Sequence, residues 1–188
     1  MPIVKTQVNP DGNLLYPLSE FYEQSGLPLP AVSRIEGRDI PEPCRSLLVH
    51  ERDLTPTLES AYQRNMLLRV LQHTLSDSVL SRQVVLVPGG TTAPAAFGAI
   101  KIYLENFPAH ARVLILGLQQ PLGTILRTQE ISHASRPDAY IRVKPDDLIA
   151  NALRLDGPGV LYGRRNVLVD AAHHVLARVV EILPPVKP

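Results

Sequence analysis

Strand-like segments joined by short turns are the feature that most limits how this 188-residue chain can fold. MLLRVLQHTLSD and SVLSRQVVLVP follow one another directly, and a Gly-Gly turn at Gly89 and Gly90 comes next. Near the C-terminus, VLYGRRNVLVDAAHHVLARVVEILPP has the pattern of two further strands joined by a tight turn. Parallel strands need a crossover of about a dozen residues or more, and these turns are too short for one. The sequence therefore predicts the α+β class, a single antiparallel sheet with short helices on one face.

Short helical segments separate some of the strands. LSEFYEQ and PDDLIANALRL each have the length and spacing of a short helix. PAHARVLILGLQQPLGTILRTQ also has helical spacing, but Gly117 and Pro121 interrupt it, so it predicts two short helices. Thr55 as N-cap and Pro56 in the first turn predict another helix directly after Leu54. FGAIKIYL is predicted as a strand, although its pattern could equally belong to half a helix.

Length and charge limit the class of protein. The length predicts one domain over residues 1–188, with an irregular N-terminal arm over residues 1–45 that is rich in turn-forming residues. The 19 Lys and Arg against 18 Asp and Glu give a net charge of +1, which offers no electrostatic reason to expect a nucleic-acid partner. No apolar run reaches the length of a membrane span or signal peptide, so we expect a cytoplasmic protein. The oligomeric state stays open between a monomer and a small homo-oligomer.

Metal and cofactor sites are not indicated by the sequence. The six histidines lack the spacing of metal ligands, and VPGGTT lacks the lysine of a phosphate-binding loop and fits a hairpin turn better. Cys44 is the only cysteine, which excludes an internal disulfide and favours a structural thiol over a nucleophile. We therefore expect no metal and no cofactor.

Two charged residues occupy otherwise apolar strand faces. The period of two places Arg82 on the face of Leu80, Val84 and Leu86. In the last strand the same period places Glu181 on the face of four small or apolar residues, namely Val175, Ala177, Val179 and Leu183. Burying either charge alone costs several kcal/mol, on the order of 2–7 even for a neutral polar group, or forces a pKa shift. Each of these charges therefore needs an explanation.

Two interpretations of Arg82 and Glu181 are open. In the structural one, they form a buried ion pair or sit at edge positions where the charge reaches water. In the functional one, they are the positive and acidic ends of a dry pocket. Such a pocket would suit a small, flat, anionic molecule, because arginine binds a carboxylate with two hydrogen bonds and glutamate can hold a hydroxyl group.

Five segments together resemble the chorismate lyase (chorismate pyruvate-lyase) family: PCRSLLVHERDLTPTLE, SRQVVLV, QQPLGTILRT, LYGRRNVLVD and VVEILPP. The resemblance covers about residues 43–188. It implies an antiparallel sheet with a buried ligand under helical flaps. It also implies a carbon–oxygen lyase that eliminates pyruvate from chorismate to leave 4-hydroxybenzoate, for ubiquinone or secondary-metabolite biosynthesis, without a cofactor.

The resemblance also assigns roles to residues. Arg82 would grip the ring carboxylate, and Glu181 would meet the ring hydroxyl and could assist proton transfer. Leu54 and Leu122 would bind the substrate through backbone groups. Gly163 and Arg164 match a Gly-Arg element with a structural role. Chorismate's second carboxylate would need another partner, for which the candidates are Arg127, Arg164 and Arg165.

Two other functions stay open beside the lyase activity, and one turn departs from the family pattern. A relative could convert chorismate or a similar cyclohexadiene acid to another product. A non-catalytic domain of the same fold could instead bind a small aromatic acid, as in the effector-binding part of some transcription regulators. The turn DAAHH lacks the glycine expected between the last two strands, and a shifted turn could misplace Glu181.

Overall fold

A computed structural model describes residues 12–185 and contains one sheet of seven strands. Its strands lie in the order β1–β5–β6–β7–β4–β3–β2, and every neighbouring pair is antiparallel. The strands are β1 (Val32–Ile35), β2 (Met66–Ser76), β3 (Val79–Pro88), β4 (Ala96–Tyr103), β5 (Ala134–Val143), β6 (Leu161–Val169) and β7 (Val175–Leu183). The predicted fold class is therefore confirmed, including the strand assignment of FGAIKIYL.

Residues 12–185 also contain six α-helices. They are α1 (Leu18–Ser25), α2 (Cys44–Leu48), α3 (Leu54–Tyr62), α4 (Ala109–Leu116), α5 (Leu122–Thr128) and α6 (Asp147–Leu153). The break around Gly117 and Pro121 separates α4 from α5, as the sequence predicts. No helix within residues 12–185 is long and apolar enough to cross a membrane.

The helices cover both faces of the sheet. Helices α2 to α5 lie on the face that carries Leu80 and Leu86. The sequence predicts short helices on one face, and the structure has a second set on the other. Helices α1 and α6 cover the opposite face, where Phe21 and Ile149 pack in one core with Val85. Strand β3 is apolar on both of its faces, so each face needs a cover to keep it from water.

Two local features differ from the pattern. Within the N-terminal arm, β1 forms a four-residue edge strand on β5, and its mixed, half-exposed residues give no alternating signal. Helix α3 begins at Leu54 with Asp53 as N-cap, two residues earlier than a cap at Thr55 would allow. The earlier start is tolerated because Pro56 then occupies the first turn, where its missing N–H needs no partner within the helix.

The DAAHH turn joins β6 to β7 without a glycine, and a register shift lies beside it, between the Leu168–Ala177 and Val169–Val175 pairs. The Asp170 carboxylate accepts hydrogen bonds from the backbone N–H groups of Ala172 and His174, at 2.9 and 2.8 Å. His173 takes the left-handed conformation, with φ of 67°. Glu181 consequently pairs with Arg164 on β6 and with Gly98 on β4.

Candidate functional site

A pocket lies between the sheet and helices α3 and α5. All four residues that the sequence analysis selected, Arg82, Glu181, Leu54 and Leu122, line it. The two helices come close together above the sheet, since a Cβ on Gly123 would lie 3.0 Å from the Cβ of Thr55. The structure thus brings the four residues to one place, and their part in binding stays a prediction.

The pocket is small. About 70 Å³ of it is open to the centre of a water molecule. One water needs roughly 10–15 Å³ by this measure, so the space equals that of about five to seven waters. Most of the wall is apolar, formed by residues such as Val84, Ile100, Leu168 and Val179.

Arg82 is the only pocket residue among those described whose positive charge lacks a carboxylate partner. Its side chain is 1% exposed, and one terminal nitrogen donates a 3.3 Å hydrogen bond to the backbone oxygen of Gln120. The Nε and Nη1 donors are buried and meet no acceptor in the part of the chain that the structure describes. Burial lowers the pKa of Arg82 to about 10, which still leaves it protonated at neutral pH. The pocket therefore holds a cation with free donors.

Glu181 is held by Arg164 and not by Arg82. Its Oε2 accepts a 2.7 Å hydrogen bond from Arg164 Nε, and the Arg164 side chain is fully buried. Burial raises the pKa of Glu181, while Arg164 opposes that shift and the nearby Asp53 carboxylate adds to it. The buried ion pair of the structural interpretation thus exists, but its cation is Arg164. Arg82 is left for another partner.

Arg164 also ties a loop to the sheet. Its terminal nitrogens donate to the backbone oxygens of Leu48, His50 and Arg52, at 3.2, 3.0 and 2.9 Å. These three residues lead into α3, which covers the pocket. Arg164 therefore positions both Glu181 and the entry to α3, which fits the structural role predicted for the Gly-Arg element.

Asp53 is a pocket residue that the sequence analysis did not select. Its Oδ2 lies 2.7 Å from His133 Nε2, and its Oδ1 is buried with no hydrogen-bond partner within residues 12–185. His133 Nδ1 lies 2.9 Å from the backbone oxygen of Ile131. Both neighbours of the imidazole are acceptors, an arrangement that favours the doubly protonated ring, in which both nitrogens donate. This agrees with its raised pKa, caused first by the hydrogen bond to Asp53.

Two of the three arginines considered for a second ligand carboxylate are engaged away from the pocket. Arg127 forms a 2.7 Å ion pair with Glu59 and is half exposed. Arg165 makes two hydrogen bonds to the Asp138 carboxylate, at 2.8 and 2.9 Å. The third, Arg164, is occupied as described. The described pocket therefore provides one site for a carboxylate, at Arg82.

No metal site is formed in the described part of the chain. Nowhere in residues 12–185 do three or more His, Cys, Asp or Glu side chains come together as ligands. The Asp53–His133 pair and Glu181 are instead occupied with hydrogen bonds to protein groups.

Comparisons with known proteins find a similar fold and no matching sequence family. No family model and no curated protein matches the sequence. The effector domain of PhnF from Mycobacterium smegmatis is 14% identical, with a TM-score of 0.51 over 71% of this chain and 88% of that domain. The structure of PhnF itself gives a TM-score of 0.50 at 14% identity, over 89% of this chain and 93% of that one. YydK from Bacillus subtilis, described as a possible transcriptional regulator, gives 0.52 at 9% identity, over 88% and 75% of the two chains.

These findings correct the family and activity predicted from the sequence. The fold implied by the resemblance is right, but the chain has the fold of regulator effector domains and is matched by no chorismate lyase model. The assignment to the chorismate lyase family was therefore wrong. The same findings contradict the predicted carbon–oxygen lyase activity with its release of pyruvate. They also contradict the predicted place in ubiquinone or secondary-metabolite biosynthesis.

Proposed function

We propose that this chain is a non-catalytic domain that binds a small aromatic carboxylic acid in the pocket between Arg82 and Glu181. One observation carries the proposal: Arg82 is buried in an apolar pocket with two N–H donors unpartnered in the described chain. A buried cation without a partner is costly, and a carboxylate that accepts two hydrogen bonds would offset that cost.

The shape of the pocket supports a ligand with one ring and one carboxylate. The pocket is small, which favours one ring over a larger ligand, and the apolar residues around it suit the ring faces. Arg127, Arg164 and Arg165 are all engaged with protein groups, so a dicarboxylate such as chorismate would leave one charge unpaired. Leu54 and Leu122 would close over the ring from the helix side.

The relationship to the PhnF effector domain supports a regulatory use of the bound acid. In that protein the corresponding domain is named for an effector, and the fold is the same. We propose that the acid acts here as a signal whose binding is the function of the domain. The expectation that this chain binds no nucleic acid itself stays a prediction.

Calorimetric titration with benzoate tests the proposal. Wild-type protein is expected to bind one benzoate per chain and not to bind benzamide, which has the same ring without the charge. Arg82→Met, which keeps the volume and removes the guanidinium, should weaken benzoate binding at least about tenfold, because a charge-assisted hydrogen bond contributes about 1.5–3 kcal/mol.

Arg142→Met is the matched control, because Arg142 is also on a strand but is exposed and does not line the pocket. That variant should bind benzoate like the wild type. Chorismate should release no pyruvate when incubated with the protein. Turnover of chorismate, or equal benzoate affinity in Arg82→Met and the wild type, would contradict the proposal.

A further inference from the structure

We infer that the acid bound in this pocket carries, opposite its carboxylate, a neutral nitrogen group with two N–H donors, such as an aromatic amine. The inference rests on the proposed function and adds the chemistry of the far end of the ligand. It starts from two carboxylate oxygens that the protein leaves without a donor.

Asp53 occupies a helix N-cap position but does not cap. An aspartate there ordinarily accepts a hydrogen bond from the second or third backbone N–H of the helix, which stabilises the helix by about 1 kcal/mol. In α3 the third position is Pro56, which has no N–H, and the Asp53 side chain makes no cap hydrogen bond. Oδ2 instead lies 2.7 Å from His133 Nε2, and Asp53 lines the pocket. Its Oδ1 stays buried and unpaired within residues 12–185.

Glu181 presents a second acceptor to the same region. Arg164 holds Oε2, and Oε1 has no hydrogen-bond partner among the described residues. The same guanidinium donates from Nη2 to the backbone oxygen of Arg52, the residue directly before Asp53, so Glu181 and the start of α3 meet at Arg164. Each of the two carboxylates is therefore fixed by one protein cation and has one oxygen free to accept.

Two acceptors that lie near each other select the donor group of the ligand. A hydroxyl has a single hydrogen, so it can satisfy one oxygen while its own lone pairs face the other. A primary amine has two hydrogens and can donate to both. Leaving a buried acceptor unsatisfied costs about 1–3 kcal/mol, which is enough to separate the two ligands by about tenfold.

The balance of charge selects a neutral nitrogen over an ammonium. A protonated His133 neutralises Asp53, and Arg164 neutralises Glu181. With these two cations counted together with Asp53, Glu181 and Arg82 of the pocket lining, one positive charge is left uncompensated, that of Arg82. A ligand with one carboxylate and a neutral amine cancels that charge, whereas a zwitterion would leave it in place. The pocket thus favours a mono-anion.

Calorimetric titration of para-substituted benzoates tests the inference. The series is 4-methylbenzoate, 4-hydroxybenzoate, 4-aminobenzoate and 4-(aminomethyl)benzoate, which changes the far group while the carboxylate stays constant. We expect 4-aminobenzoate to bind about tenfold tighter than 4-methylbenzoate, and tighter than both the hydroxyl and the ammonium compounds.

Asp53→Asn tests the contribution of the Oδ1 acceptor apart from the rest of the pocket. Because His133 donates to the position of Oδ2, the amide oxygen takes that place and the amide NH₂ replaces Oδ1. The advantage of 4-aminobenzoate over 4-methylbenzoate should then disappear. Asp138→Asn is the control, because Asp138 pairs with Arg165 and does not line the pocket.

The outcomes distinguish this inference from the proposed function. If none of the acids binds, both are overturned. If 4-methylbenzoate binds and 4-aminobenzoate shows no gain, or 4-hydroxybenzoate or 4-(aminomethyl)benzoate binds tighter, the inference fails and the proposed function stands. The wild-type series alone decides between these results, so the test does not depend on the folding of Asp53→Asn.

Discussion

Arg164 and Glu181, paired directly across β6 and β7, form a buried ion pair with a 2.7 Å hydrogen bond on the floor of the pocket. Arg82, two strands away from Glu181, has no such partner in residues 12–185. Arg164 therefore stabilises the fold, whereas Arg82 is available to a ligand. Replacing Arg164 should lower the free energy of unfolding, and replacing Arg82 should raise it.

Arg164→Met is expected to lower the free energy of unfolding by about 3–5 kcal/mol, because it leaves the Glu181 carboxylate and three backbone oxygens without their donor. Urea denaturation measures the change. Arg142→Met, at an exposed strand position, should stay within about 0.5 kcal/mol of the wild type. A loss below about 1 kcal/mol in Arg164→Met would show that the pair does not hold the loop and the sheet together.

Arg82→Met is expected to raise the free energy of unfolding of the ligand-free protein by about 1–3 kcal/mol. The substitution replaces a buried, largely unpartnered guanidinium with an apolar side chain of similar size. Sites that await a charged ligand commonly reduce the stability of the free protein in this way. Chemical denaturation without ligand gives the sign, and a clear destabilisation would mean that Arg82 serves the fold.

The strand faces and the hairpins could be predicted from sequence because they depend on neighbours along the chain. A period of two placed Arg82 and Glu181 on inward faces, and both line one pocket. The partner of Glu181 could not be read in the same way. Arg164 and Arg165 are adjacent and so point to opposite faces, and the pattern of β6 does not say which of them faces the pocket.

Asp53 was missed because its role depends on a distant residue. Its sequence neighbours, Thr55 and Pro56, gave a helix-start signal, and the cap was assigned to Thr55. The pairing of Asp53 with His133 spans 80 positions and leaves no local trace. The family was misjudged for a related reason, since short segments that build a shared fold do not carry its activity.

His133 should stabilise the protein in a pH-dependent way. Its pKa is raised from 6.5 by the hydrogen bond to Asp53, so the folded state binds its proton more tightly than the unfolded state. The contribution is full below about pH 6.5 and is lost as the pH rises through the raised pKa. The difference in unfolding free energy between the wild type and His133→Gln should thus be larger at pH 5.5 than at pH 9, as measured by urea denaturation.

Asp53→Asn provides the control for this pH dependence. In that background the carboxylate that raises the pKa of His133 is absent, so His133→Gln should cost nearly the same at both pH values. A difference that grows with pH in the wild-type background would contradict the assigned ion pair.

Gly98 should be intolerant of a side chain. It lines the pocket and pairs with Glu181 across β4 and β7, and a Cβ at this position would collide with the backbone oxygen of Val180. Gly98→Ala is therefore expected to lower the free energy of unfolding by about 1–3 kcal/mol. Gly157→Ala, where a Cβ meets nothing within 4 Å, is the matched substitution and should change it by less than about 0.5 kcal/mol. Equal thermal midpoints for the two variants would refute the close contact.

The NMR signal of the Arg82 Nε–H group during a titration with benzoate tests most directly whether Arg82 binds the acid. This donor is buried and unpartnered in the described chain, and the ligand carboxylate is proposed to lie against the Arg82 guanidinium. We predict a saturable shift of the Arg82 signal, with no shift at Arg142. An Arg82 signal that stays unchanged while benzoate binds elsewhere, or while it does not bind at all, would contradict the central claim that Arg82 anchors an acid.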